Sequence, residues 1–212
     1  WCGRASVLRL IRKAQQRLLV PPSLFWGWHG PSSPLFKIPR NCQLMKRLFD
    51  VCLVLIVGAL LLVPAAVIGM TVLVTSPGPV LYWSDRVGRH NCLFKMPKFR
   101  SMRVDAPAVA THLLADPATY VTPIGSFLRK ASLDELPQLW NVLRGDMSLV
   151  GPRPHPVEMR VCGLYYHDAV PGYRTRHRVR PGITGLAQVS GCRGSVETME
   201  QARRRLEFDL DY

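Results

Sequence analysis

Between Val51 and Ser84 the chain carries no charged side chain, and Val51 to Val74 is almost wholly apolar. At 1.5 Å per residue that run makes roughly 36 Å of helix, enough to cross the hydrocarbon core of a bilayer. Both flanks are basic, with Lys37, Arg40, Lys46 and Arg47 before it and Arg86, Arg89, Lys95, Lys98, Arg100 and Arg103 after it. Loops rich in Lys and Arg stay on the cytosolic side, so both flanks ask for the same face. Pro64 stands near the middle, where it removes a helix hydrogen bond and kinks the backbone. A re-entrant helix over 46–75 that enters, breaks at Pro64 and returns to the same face satisfies both observations. A plain spanning helix and a buried helix of a soluble domain are the alternatives.

Beyond this segment the periodicity shortens. Ser76-Pro-Gly-Pro stops the helix, and Val80 to Tyr82 and Leu93 to Phe99 read as short strands joined by a turn over Gly88 to Asn91. Lys95, Lys98 and Arg100 lie along and just past the second strand, and Lys98 and Arg100 are expected to face one phosphate site. Asp105 to Ala118 reads as a loop with a short helix, Val157 to His167 as a helix, and Thr198 to Tyr212 as a helix with an acidic start and a basic middle. Gly182, Gly185, Gly191 and Gly194 mark tight turns or close backbone approaches. The basic cluster Arg174, Arg176, His177, Arg178 and Arg180 could hold a nucleotide diphosphate or a lipid phosphate, with the membrane surface the favoured partner for most of it, and Glu207, Asp209 and Asp211 could add acidic groups to the site, with a solvated helix face favoured.

The richest chemistry lies in Leu128 to Pro154, LRKASLDELPQLWNVLRGDMSLVGPRP. Ser132 and Glu135 fit the S-x-x-E capping box, and Leu133, Leu136, Leu139, Trp140 and Leu143 recur at helical spacing. This predicts a helix whose first turn carries Asp134 and Glu135. Carboxylates there are also what any helix start prefers. Yet Arg129 and Arg153 bracket the pair, and Pro137, Gly145, Asp146, Met147 and Gly151 to Pro154 surround it with choices that stability alone rarely requires. A helix N-terminus attracts anions, so a phosphate held by Arg129 and Arg153 would lie beside Asp134, ready for attack or metal bridging.

Composition narrows the classes. The formal charge is +14, and residues 1–47 hold nine basic side chains and no acid. Apolar residues interleave with them, Val7, Leu8, Leu10, Ile11, Leu18 and Leu19, which favours a bilayer surface over nucleic acid, although an organellar transit peptide has the same look. Pro21 to Pro39 reads as a linker with Phe25, Trp26 and Trp28 as interfacial aromatics. Cys2, Cys42, Cys52, Cys92, Cys162 and Cys192 are scattered without a C-x-x-C pair, which predicts reduced thiols and argues against a zinc or redox motif. No Walker loop supports an ATPase, and no nucleic-acid-binding motif is evident.

The window resembles the signature of the bacterial sugar transferase family, the monotopic polyprenyl-phosphate phosphoglycosyl transferases. The resemblance covers Lys46 to Tyr212 through KRLFD (46–50), SPGPVLY (76–82), KFRSM (98–102), GPRPH (151–155), RPGITGLAQVSG (180–191) and RLEFDLDY (205–212). It implies a small α/β (α+β) catalytic domain, mostly helical with a few short strands, over 76–212. That domain is attached to a re-entrant helix over 46–75 and preceded by a basic arm and linker over 1–45. Where relatives often place Ser before the helix-breaking proline this chain has Val63, and where they continue into a further helix it stops at Asp211-Tyr212, so an incomplete C-terminus is expected.

The implied reaction is transfer of a sugar 1-phosphate from a UDP-sugar to undecaprenyl phosphate with release of UMP, initiating exopolysaccharide, capsule or O-antigen assembly. Asp134 is then the nucleophile and a ligand of Mg2+, and Glu135 a base or metal ligand. Arg129, Arg153, Lys98 and Arg100 are the phosphate-binding groups. The implied setting is the cytoplasmic face of a bacterial inner membrane, with no nucleic-acid partner and with self-association left open. The GPRPH and RPGITGLAQVSG segments look more like glucose- or galactose-1-phosphate members. A membrane-tethered binder of nucleic acid or acidic lipid, and a hydrolase of nucleotide sugars or lipid phosphates, are the rivals.

Overall fold

A computed structural model describes residues 40–107, 118–194 and 196–212. The basic arm and its aromatics, and most of the loop expected over Asp105 to Ala118, lie outside the described residues. Helix α1 spans Arg40–Thr75, so it starts six residues before the expected boundary at 46. Its first turns are tied down by polar contacts. Lys46 reaches the Ser148 hydroxyl and, at 3.2 Å, the Val150 carbonyl, while Arg47 donates to the Leu143 carbonyl at 2.9 Å. Ser148 in turn donates to buried Asp50 at 2.6 Å.

The break expected at Pro64 is not an interruption, because helical residues run from Arg40 to Thr75 with Pro64 inside. Proline withdraws its own N–H and crowds the carbonyl one turn back, which bends a helix without ending it, and a helix in apolar surroundings has every reason to keep the remaining bonds. Segment Asn41–Thr75 is long and apolar enough to cross a membrane, with only 6% of its most apolar window buried. Leu55, Ile56, Leu60, Leu62, Val63, Val67 and Met70 are all exposed, which is not the pattern of a core helix in a soluble domain.

The core beyond α1 begins with a hairpin. Strands β1 (Leu81–Val87) and β2 (Leu93–Phe99) pair antiparallel from Leu81 opposite Phe99 to Val87 opposite Leu93. The expected turn is present as a 3-10 segment over Arg89–Asn91, with His90 and Asn91 at positive φ. Two stretches of α1 share apolar clusters with this hairpin. Val54 packs in one cluster with Met96, Val142 and Met147, and Val72 in another with Phe99 and Leu128. Along a straight helix Val54 and Val72 would stand about 27 Å apart, yet Met96 and Phe99 are only about 10 Å apart along β2.

Helix α2 (Pro123–Ala131), a 3-10 segment (Leu133–Gln138) and helix α3 (Leu139–Arg144) follow. Strand β3 (Ser148–Val150) pairs in parallel with β6 (Gly182–Thr184). That pairing brings Gly151 so close to Gly182 and Gly185 that a Cβ on either would overlap the Gly151 backbone. The helix expected over Val157 to His167 is replaced by a hairpin, β4 (Arg160–Val161) and β5 (Leu164–Tyr165), and a short helix α4 (Tyr166–Ala169). Cys162 and Gly163 turn the chain with φ of 49° and 80°, a pair of positive values that a helix cannot hold. Helix α5 (Leu186–Val189) leads to α6 (Met199–Leu210), whose Thr198 and Gln201 form a complete capping box. A third cluster, Val161, Tyr166, Val170, Tyr173, Ala202 and Leu206, seats α6 against the segment before it.

Candidate active site

The acidic pair does not sit where a capping box would put it. Ser132 closes α2 in a left-handed conformation (φ 58°, ψ 21°) and makes no side-chain cap. Asp134 and Glu135 therefore occupy the first turn of the 3-10 segment, not of an α-helix. The tighter turn lies against β2, and Lys98 bridges the two elements. Its Nζ stands 2.7 Å from Glu135 Oε1 and 3.6 Å from Asp134 Oδ2. Arg153, from the Gly-Pro-Arg-Pro segment after β3, donates Nη1 to Glu135 Oε2 at 3.0 Å and Nη2 to Oε1. Both oxygens of Glu135 are thus engaged.

The two carboxyls are pushed in opposite directions. Burial raises Asp134, with Lys98 opposing and the neighbouring Glu135 charge adding to the rise. Burial also acts to raise Glu135, but hydrogen bonds from Arg153 and the charge of Lys98 outweigh it and hold the carboxyl at about 2. Glu135 is a fixed anion, and Asp134 is the more basic partner with fewer contacts.

Arg129 reaches the pair by charge only. Its Nε donates to the Ser101 hydroxyl at 2.8 Å, and its pKa, lowered by burial, is pulled back up by Asp134. Arg100 does not join the cluster. It is buried with its guanidinium on the carbonyls of Ser76 (2.6 Å) and Pro77 (3.0 Å), where it closes the end of α1. Strand β2 ends at Phe99, so the alternation that would have kept Arg100 on the face of Lys98 stops one residue early.

Two parts of the site escaped the reading of the sequence. Arg86 is held by the Ser84 hydroxyl at 3.2 Å and feels Arg153 and Glu135; burial and then the Arg153 charge lower it to about 10. Its signal was present, since Tyr82, Ser84 and Arg86 alternate along β1 and Tyr82 pairs with Lys98. The second part is Arg176, expected with its neighbours to meet the membrane surface but buried. It pairs with buried Asp209 of α6 at 2.8 Å and donates to the Arg153 carbonyl at 2.6 Å. The solvated helix face expected for Asp209 is corrected by that contact. His177 is also buried, bonded to Asn91 at 2.7 Å, and burial followed by the charges of Arg176 and Arg174 lowers it to about 4. It is a neutral structural group.

Four cations, Arg86, Lys98, Arg129 and Arg153, thus surround two carboxylates, an excess that suits a diphosphate. Among the described residues no three His, Cys, Asp or Glu side chains converge as a metal cage. Asp134 is the one carboxylate of the pair with coordinating capacity left. Its oxygens fit Mg2+, a hard cation that takes one or two carboxylates and completes its shell with substrate phosphates and water.

The sequence model of the family described as bacterial sugar transferase matches residues 41–212. A protein of Escherichia coli (strain K12), UDP-glucose:undecaprenyl-phosphate glucose-1-phosphate transferase, is 42% identical over 186 residues, covering 86% of this chain and 39% of the relative. A protein of the same name from Caulobacter vibrioides is 44% identical over 192 residues, covering 86% of this chain and 70% of the relative. An undecaprenyl-phosphate galactose phosphotransferase of Salmonella typhimurium is 43% identical over 171 residues, covering 72% of this chain and 34% of the relative. The chain spans about two fifths of the length of the E. coli relative.

Proposed function

The chain belongs to the bacterial sugar transferase family, and from that membership we propose that it moves a sugar 1-phosphate from a UDP-sugar to undecaprenyl phosphate and releases UMP. The observation that carries the proposal is the division of labour between adjacent carboxylates. Glu135 is locked to Lys98 and Arg153, while Asp134 keeps a raised pKa and lies among cations.

In the proposed mechanism an oxygen of ionised Asp134 attacks the sugar-proximal phosphorus of the UDP-sugar. The bond to the bridging oxygen breaks, and UMP leaves with the electron pair. The product is a phosphosugar ester on Asp134. A phosphate oxygen of undecaprenyl phosphate then attacks the same phosphorus, the bond to Asp134 breaks, and the carboxylate is restored. Arg153, Lys98, Arg129 and Arg86 hold the diphosphate and stabilise charge on the transferring phosphoryl group. Glu135 orients Lys98 and Arg153. When bound at Asp134, Mg2+ supplies neutralisation of the diphosphate.

One substrate is soluble and the other is a lipid, so the enzyme works at a bilayer surface. We place it at the cytoplasmic face of the inner membrane, where it initiates exopolysaccharide, capsule or O-antigen assembly with glucose or galactose as the donor sugar. The re-entrant reading of α1 is supported by the clusters that join Val54 with Met96 and Val72 with Phe99 of the same short hairpin, with the exposed apolar stretch and Pro64 between them, and by basic residues on both flanks. The decisive experiment is UMP release from UDP-glucose, UDP-galactose and UDP-N-acetyl sugars, with and without undecaprenyl phosphate and magnesium. Release that depends on the lipid phosphate is expected. Equal release without it would make the protein a hydrolase.

A further inference from the structure

At the turn end of the β1–β2 hairpin lies a cavity of about 230 Å3 lined by Gly88, Arg89, Cys92, Phe94, Asp146 and Arg180, among others. Arg89 gives its Nε to the Arg178 carbonyl at 3.2 Å, and Arg180 gives its Nε to the Gly145 carbonyl at 3.0 Å. Among the described residues each guanidinium is therefore held through one nitrogen, with its terminal NH2 groups left over. Arg47 borders the same space, its Nη2 lying 3.5 Å from where a Cβ on Gly145 would stand. Among the described residues none of these three arginines has a carboxylate within ion-pair distance. Asp146, the acid on the lining, is engaged by Arg144 at 3.3 Å and by Asn141 at 3.3 Å.

Arg180 feels both of the other cations: burial, and then the charges of Arg89 and Arg47, lower it below its ordinary value, with Asp50 opposing. An anion between them would relieve that repulsion and meet several charge-assisted donors. Arg47 stands one helical turn before the uncharged stretch that begins at Val51, which puts the rim of the cavity at headgroup level in a bilayer that receives α1. Leu93 and Phe94 add an apolar wall.

We infer that this cavity holds the phosphate group of an anionic phospholipid, at a site separate from Asp134. Phe94 lines it, whereas Lys98 meets the carboxylates, and these residues are about 13 Å apart along β2. One phosphate does not serve both places. A bound lipid here would anchor the hairpin beside the start of α1 and leave the transfer site free. The inference rests on the reading of α1 as membrane-embedded.

Cys92 is exposed and lines the cavity, and exposed Cys162 serves as an internal control. Alkylation of each thiol is followed by mass spectrometry on the full chain with dihexanoyl-phosphatidylglycerol, dihexanoyl-phosphatidylcholine or inorganic phosphate. The phosphatidylglycerol is expected to slow Cys92 at least fivefold and leave Cys162 unchanged. The Arg89→Gln/Arg180→Gln variant, shown to be folded by UMP release in neutral nanodiscs, is expected to lose the protection. Equal protection by the phosphatidylcholine, or by inorganic phosphate at the same concentration, overturns the lipid assignment. So does absence of protection in wild-type protein that still binds neutral vesicles. Failure to bind neutral vesicles at all removes the membrane reading and this inference with it.

Discussion

Glu135 meets Arg153 through both carboxylate oxygens, with Nη1 3.0 Å from Oε2 and Nη2 on Oε1. A bidentate fork of this kind fixes the plane of the guanidinium as well as its position. Lys98 completes the set at 2.7 Å on Oε1. Glu135 is therefore the anchor from which the cationic surface around Asp134 is built.

Asp134→Ala should abolish UMP release, by about a thousandfold or more, because no neighbouring group replaces a carboxylate nucleophile. Circular dichroism should show a fold like that of the wild type. Intact-mass spectrometry of wild-type protein treated with donor should reveal a phosphosugar adduct that the variant lacks. Wild-type turnover in the variant would refute the assignment.

The acid limb of the pH–rate profile should report Asp134. In the proposed mechanism only the ionised carboxylate attacks, so kcat/KM should rise with pH through its raised pKa and level off above it. Glu135→Gln removes the like charge and releases Lys98 to Asp134. Both changes favour the ionised form, so the limb should move to lower pH even as the maximal rate falls. A limb that stays put or moves upward would contradict the coupling.

Arg153→Lys should fail to rescue Arg153→Ala. Lysine keeps the charge but lacks the planar fork that spans both oxygens of Glu135. A loss of about a hundredfold in kcat/KM is expected for either variant, measured as UMP release under saturating lipid phosphate.

The Arg176–Asp209 pair is almost fully buried, with 2% exposure of each side chain. Arg176→Met should cost about 3 kcal/mol or more, since it leaves an unpaired acid inside the domain. Arg176→Met/Asp209→Leu should recover much of that loss in a thermal melt. Both variants release the Arg153 carbonyl from Arg176, so the double variant should regain stability ahead of activity.

Arg100→Ala should separate stability from binding. Two hydrogen bonds to the end of α1 disappear, which is expected to cost about 1–3 kcal/mol. The KM for the UDP-sugar should stay within about twofold of wild type, the range expected of a residue outside the site. A large rise in KM would return Arg100 to the phosphate-binding set.

Chain-local patterns carried much of this protein. An uncharged run long enough to span a bilayer, a proline within it, alternating strands around a turn and a carboxylate pair bracketed by arginines are all properties of neighbouring residues. The sequence alone was enough to nominate Asp134, Glu135, Lys98, Arg129 and Arg153. Tertiary structure decided what local rules left tied. Two capping boxes are written in the chain, and the one at Thr198 and Gln201 forms. The one at Ser132 and Glu135 does not, because Lys98 and Arg153, distant in sequence, claim the glutamate. Arg100 went to the helix end, Arg86 turned inward beside Arg153, and Arg176 became buried against Asp209. A guanidinium is indifferent in sequence to which anion or carbonyl it will meet. Only the packing of β2, the 3-10 turn and α6 sets the distances, and at these charges distance decides the partner.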